Sequence, residues 1–217
     1  ADDGLVPPYT PMTVTGTSAA GISVGVLGRS MTIGQDGFPT AIRSTFTDGN
    51  RSVGGVPRDI LAAPLRLAGE DSAGKAIAWS GAPAAIDKRA PGAVAWSAAR
   101  TAGALSLQLQ AQMEFEGTTE YAVTLRATRR TALADVRLEI PMRAEAATYM
   151  MGLGQKGGRR PADFHWTWDV AKKNQDAAWI GGVSAGLQFT LKDEHYVRPL
   201  NTNFYLSKPL VLPRSWG

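Results

Sequence analysis

Leu105-Ser106-Leu107-Gln108-Leu109-Gln110-Ala111-Gln112-Met113-Glu114-Phe115-Glu116 decides the fold of this chain. Apolar and polar residues alternate through it without a break, and a period of two over this length predicts a long strand with one wet face. After Gly117-Thr118-Thr119 the alternation resumes in Tyr121-Ala122-Val123-Thr124-Leu125-Arg126-Ala127. The two runs predict an antiparallel hairpin closed by a short glycine-containing loop. Asp135-Val136-Arg137-Leu138-Glu139-Ile140-Pro141 supplies a third alternating run, read as the next strand of a meander with Val136, Leu138 and Ile140 inward.

The N-terminal half repeats the theme in shorter pieces. Ile22 to Leu27, Met31-Thr32-Ile33 and Thr40 to Phe46 predict strands, punctuated by Gly28, by Gly34-Gln35-Asp36-Gly37 and by Asp48-Gly49-Asn50. Two similar pentads, Ala76-Ile77-Ala78-Trp79-Ser80 and Ala93-Val94-Ala95-Trp96-Ser97, flank a proline-containing loop and read as partners in another hairpin, with Trp79 and Trp96 in the core. No window of a dozen residues carries a helical stripe, and 24 Gly and 13 Pro spread through the chain suit many short strands. The fold predicted is all-β with little helix: a large, supersandwich-like, antiparallel two-sheet β-sandwich. Residues 1–20 read as an N-terminal extension and 21–217 as the sandwich domain. A sub-boundary is expected at the glycine-rich run 154–161, read as a mobile loop.

A chain of 217 residues can bury one good core, and 44% hydrophobic with 19% charged residues is ordinary for a folded protein. No apolar run approaches the roughly twenty residues that a membrane-spanning helix needs, so no membrane partner is expected. The absence of cysteine excludes disulfides, thiolate metal sites and a cysteine nucleophile. The beginning Ala1-Asp2-Asp3-Gly4 suits a mature end left after signal cleavage, which makes a secreted or periplasmic protein the expectation. The formal charge of +4 comes mainly from dispersed arginines, such as Arg126, Arg129, Arg130, Arg137 and Arg143. A nucleic-acid binder concentrates such charge in one stripe, so nucleic acid is not expected as a partner.

The chemistry-bearing residues gather late in the chain. Asp163, His165 and Asp169 lie close in sequence, and His195 follows Glu194. A metal site needs a third or fourth donor and a supporting shell that the sequence does not supply, so no metal and no cofactor are expected. Asp169 with Asp176, or Asp176 with Glu194, could flank a glycosidic bond as acid and base; Asn174-Gln175-Asp176 equally suits turn and capping chemistry. No Gly-x-Ser-x-Gly elbow occurs, and Gly152-Leu153-Gly154-Gln155-Lys156-Gly157 matches a dinucleotide loop only superficially, because no helical pattern follows it. Trp166 and Trp168 share one side of an extended segment. Such a pair serves either as half-buried core or as a platform on which sugar rings stack, with Asn174, Gln175 and Asp176 as hydrogen-bonding partners and Trp179 nearby.

The run Gly152 to Pro161, followed by Trp166-Thr167-Trp168, Asn174-Gln175-Asp176, Trp179-Ile180-Gly181, Ala185-Gly186-Leu187-Gln188 and Tyr196-Val197-Arg198-Pro199-Leu200, resembles the N-terminal domain of large bacterial proteins related to family 123 glycoside hydrolases. Met113-Glu114-Phe115-Glu116-Gly117 and Arg137-Leu138-Glu139-Ile140-Pro141 are similar to the same domain. The resemblance implies a β-sandwich preceding a catalytic (β/α) barrel, whose Asp-Glu pair performs substrate-assisted hydrolysis of an N-acetylhexosaminide. No residue here matches that pair, so no catalytic position is carried over. The expectation is an accessory sandwich of a carbohydrate-active enzyme, partnered by carbohydrate and by a downstream barrel or partner chain. Its contact residues would be Trp166, Trp168, Asn174, Gln175, Asp176 and Trp179, with His165, Asp169, Glu194 and His195 as weaker candidates. An autonomous glycan-acting enzyme using its own Asp and Glu residues, or a non-catalytic interaction module, is the alternative.

Overall fold

The computed structural model describes residues 3–18, 21–167 and 176–192, and the chain divides into two compact units, Ala1–Arg143 and Ala144–Gly217. The first unit opens with a five-stranded antiparallel sheet in sequence order: β1 (Thr13–Thr17), β2 (Gly21–Val26), β3 (Arg29–Ile33), β4 (Pro39–Phe46) and β5 (Val53–Asp59). After β6 (Arg66–Asp71) come β7 (Ala85–Arg89), β8 (Ala93–Ala102), β9 (Leu105–Glu114) and β10 (Thr119–Ala127), which form a second sheet in the order β10-β9-β8-β7. β11 (Leu133–Glu139) pairs antiparallel with β6. The only helical elements among the described residues are single turns at Asp48–Asn50 and Ala144–Ala146.

The alternation in β9 is realised position by position: Leu105, Leu107, Leu109, Ala111 and Met113 are buried, and the glutamines between them face outward. The hairpin with β10 forms in the expected register, Leu109 opposite Val123. Ile22, Val24, Met31 and Ile33 of the five-stranded sheet are buried as well. The two sheets meet face to face: the Tyr121 hydroxyl on β10 lies 3.6 Å from Met31 Sδ on β3, and the Trp96 indole on β8 donates to the Gly37 carbonyl at 2.9 Å. Phe38 stacks on Tyr121, and Trp96 meets Tyr121 edge-on, at centroid separations of 6.0 and 5.9 Å. Each such buried apolar side chain contributes about 1.5–3 kcal/mol, so these facing rows hold the sandwich closed.

Several expectations are corrected here. β11 does not extend the meander; it crosses back to β6, pairing Leu138 with Leu67 and Val136 with Gly69. Val136 and Leu138, expected inward, are 41% and 50% exposed, because Asp135, Arg137 and Glu139 occupy the opposite face and close a charge network there. Arg137 binds Glu70 at 3.0 Å, Glu139 at 2.8 Å and Asp135, while Arg66 binds Glu139 at 2.7 Å. The two pentads are not hairpin partners either: β8 pairs with β7, and residues 76–80 contribute only bridges from Ala76 to Glu70 and from Ser80 to Thr101. Trp96 is fully buried, whereas Trp79 is only half-buried and its indole N–H has no hydrogen-bond partner among the described residues. Residues 13–17, read as part of an extension, are a strand of the first sheet; Met12 is buried, and the Gly92 amide donates to the Asp3 carbonyl at 2.9 Å.

The second unit contains β12 (Tyr149–Gly152), β13 (Gln155–Arg159), β14 (Ala177–Gly181) and β15 (Gly186–Thr190), in the antiparallel order β13-β12-β14-β15. The glycine-rich run read as a mobile loop is therefore a turn and an edge strand, and the division between units falls ahead of it.

Candidate functional site

The β12–β13 hairpin is closed by Leu153-Gly154, both with positive φ (46° and 86°), the pairing of angles that a tight two-residue hairpin requires. Leucine adopts this conformation at a cost, which its burial offsets: Leu153 is 6% exposed and joins Met150 and Ala178 in a small core, with Phe164, Ile180 and Phe189 packed against it. Alternation then sends Tyr149 and Met151 of β12, Trp179 of β14 and Gln188 of β15 to the other face of the sheet. The register puts Met151 opposite Trp179, and Trp179 opposite Gln188, in one cross-strand row. Tyr149 stands in the neighbouring row between Arg159 and Gly181.

This outer face is apolar and open. Tyr149 is 36% and Met151 55% exposed, and Trp179 is half-buried, its indole laid across Gly181, where a Cβ would overlap ring atom Cζ2. Gly157, on the far side of Met151, again leaves space where a side chain would stand. The result is a flat aromatic and thioether surface edged by an amide and a guanidinium. That combination stacks on the apolar face of a ring while bonding its polar edge.

The residues singled out in sequence separate in space. Trp166 is 37% exposed, stacks on Phe164 at 6.4 Å and 18°, and lies over the hairpin turn, with its Cζ3 2.9 Å from where a Cβ on Gly154 would sit. It leans on the inner core through Phe164, whereas Trp179 belongs to the outer face. His165 Nε2 lies 3.3 Å from Asp163 Oδ2, but both side chains stand in solvent, 93% and 83% exposed. Such a pair has no enclosed site to serve. Asp176 is 8% exposed, and its Oδ2 has no hydrogen-bond partner among the described residues, while its backbone carbonyl accepts from the Leu191 amide at 2.8 Å. Trp168, Asp169, Asn174, Gln175, Glu194 and His195 lie outside the described residues. Among those described, no three His, Cys, Asp or Glu side chains converge into a metal-binding group, and no helix is long and apolar enough to cross a membrane.

Residues 17–217 match the family model of the glycoside hydrolase 123 third domain. The chain belongs to this family. No curated protein matches the sequence. The relation to family 123 is the one the sequence pointed to, although the matching model is designated a third domain where the resemblance suggested an N-terminal one. For this family 123 domain, sequence reasoning missed Tyr149, Met151 and Gln188. β12 spans only Tyr149–Gly152, too short for a period of two to declare itself, and only the pairing with β14 reveals which of its side chains share a face with Trp179.

Proposed function

We propose that this domain gives a family 123 glycoside hydrolase a carbohydrate-contacting surface, made by Tyr149, Met151 and Trp179 with Gln188 and Arg159 at its edges. The observation that carries the reading is the row Met151–Trp179–Gln188, in which an indole flattened over a glycine is left facing outward beside an exposed thioether and an amide. Broad, rigid aromatic area supplies stacking at low entropic cost, and the amide and guanidinium supply direction. No carboxylate pair meets on this face among the described residues, which favours contact over bond cleavage. The ligand class that fits the family is an N-acetylhexosamine-containing glycan. Affinity electrophoresis of the chain through a gel containing such a glycan tests the reading. Retardation that disappears in Trp179→Ala and Tyr149→Ala, with thermal unfolding unchanged, supports it; no retardation of the parent chain sinks it.

A second reading, an autonomous enzyme with Asp176 as acid or base, draws on the buried, unpartnered Oδ2 of that residue. It requires hydrolysis by the isolated chain that is lost in Asp176→Asn.

A further inference from the structure

A shallow, open cleft of about 540 Å³ lies in the first unit beside the paired ends of β6 and β11, between residues 71–78, the β8–β9 turn and residues 129–133. Three exposed cations, Lys75, Arg129 and Arg130, line it together with the half-buried Ile77. None of the three side chains forms an ion pair or hydrogen bond among the described residues. The only carboxylate lining the cleft, Asp71, is already occupied: one of its oxygens accepts from the backbone amides of Ala73 and Lys75, both at 2.9 Å.

The walls are fixed. The Asp71 carboxylate ties down the turn that carries Lys75. On the other side the Thr128 amide donates to the Ala104 carbonyl at 2.9 Å, and the Thr131 hydroxyl donates to the Arg129 carbonyl at 2.9 Å, bracketing the two arginines. A register shift between Leu133 and Asp135 marks a bulge at the start of β11, where Leu133 still pairs with Asp71 at the edge of the cleft. Elsewhere on the β6–β11 pair the arginines are matched with carboxylates: Arg66 and Arg137 share Glu139, Glu70 and Asp135. At this end, Lys75, Arg129 and Arg130 have no such match among the described residues.

We propose that this cleft binds an acidic sugar, its carboxylate held by Arg129, Arg130 and Lys75 and the C–H face of its ring set against Ile77. Guanidinium groups bind carboxylates in a planar, two-point fashion that a solvated cation alone does not provide, and three cations against one carboxylate leave a net positive charge that raises the local concentration of an anionic ligand. That the ligand is a sugar rests on the carbohydrate-contacting reading above, and that it is acidic rests on the three cations. The cleft shares no residue with the outer face of the β12–β15 sheet, so the two readings fail separately.

The test is an amide-resolved NMR titration of the isotope-labelled chain with trigalacturonate, with neutral maltotriose and with sodium sulfate. The expected result is that trigalacturonate shifts the amides of residues 72–75, 103–105 and 129–133, that maltotriose does not, and that Arg129→Gln/Arg130→Gln weakens binding about tenfold with the rest of the spectrum retained. Trp179→Ala leaves these shifts in place. Should the double variant fail to fold, Lys75→Gln is expected to weaken binding in the same direction. The proposal is overturned if trigalacturonate produces no shifts there, if maltotriose produces the same ones, if sulfate binds as tightly as trigalacturonate, or if the folded charge variants bind unchanged.

Discussion

The indole N–H of Trp96 on β8 reaches across the first unit to the carbonyl of Gly37, 2.9 Å away, on the loop between β3 and β4. This one bond joins the two facing sheets at the largest fully buried side chain among the described residues, since Trp96 is 0% exposed. Gly37 is held close by φ +86°, and a Cβ there would sit 2.8 Å from Leu109 Cδ2. Trp96→Phe removes the donor, leaves a buried carbonyl unmet and opens a void. The expected cost is about 2–3 kcal/mol, read from denaturant unfolding.

Trp166 and Gly154 form a similarly tight pair in the second unit. Gly154→Val combines a β-branched residue at φ +86° with a clash against the ring, so Trp166 must move off the turn. A loss of about 1–3 kcal/mol is expected, together with a shift in Trp166 fluorescence toward the fully solvated position. An unchanged emission spectrum in a background lacking the other tryptophans would contradict the geometry.

Gly181 sets the plane of Trp179. Gly181→Ala keeps every proposed contact residue yet pushes the indole off its seat. If the outer face stacks sugars, glycan affinity drops roughly three- to tenfold, the range of one aromatic stacking contact. Binding equal to that of the parent chain would show that ring orientation does not matter, and the stacking reading would fall with it.

Stability is expected to decline in acid. The hydrogen bond from Arg43 holds the Asp59 carboxyl below its ordinary range against the opposing effect of desolvation, with further help from the charges of Arg43 and Arg143. Hydrogen bonds from Arg66 and then Arg137 do the same for Glu139. Folded-state values below the unfolded ones mean that the folded state binds these protons less readily. The stabilisation is complete above the ordinary carboxylate range, about pH 4, and is lost as pH falls through the depressed values. Melting temperature measured downward from pH 6 should fall, and Arg43→Gln/Arg66→Gln should flatten that slope.

At the alkaline end the sign reverses. Burial, with the nearby charge of Asp36, pushes the Tyr121 phenol up, so its contribution is fully present below about pH 10 and is lost as pH rises further. In an ultraviolet titration of the folded chain, Tyr121 is expected to ionise late, above the ordinary phenol range, and Tyr121→Phe should delete that late step.

What could be read directly from the sequence was whatever depends on neighbours in the chain. β9 and β10 announce themselves because each side chain's burial is set by its parity and the partner strand follows after Gly117. β11 shows the same parity, but its partner is chosen far away, and the Asp135, Arg137 and Glu139 face is held by Glu70 and Arg66 on β6. Alternation alone cannot tell which of two faces is wet when one is charged and paired and the other is apolar and open. The candidate site was half legible for the same reason. Trp166 and Trp179 stood out as residue types, but only the hairpin turn at Gly154 and the register of β14 separate the ring that leans on the core from the ring that faces out.

The return of β11 to β6 also sets an order of events in folding. The hairpins β8–β9 and β9–β10 close over a few residues each, and such contacts form on the microsecond scale. Leu67 and Leu138 can meet only after the intervening chain has been compacted, because the entropy of closing so long a loop is repaid late. The β7–β10 sheet shortens that loop by folding first. By the same argument, the β6–β11 clasp, with the cationic cleft at its end, closes only after the β8–β9 and β9–β10 hairpins.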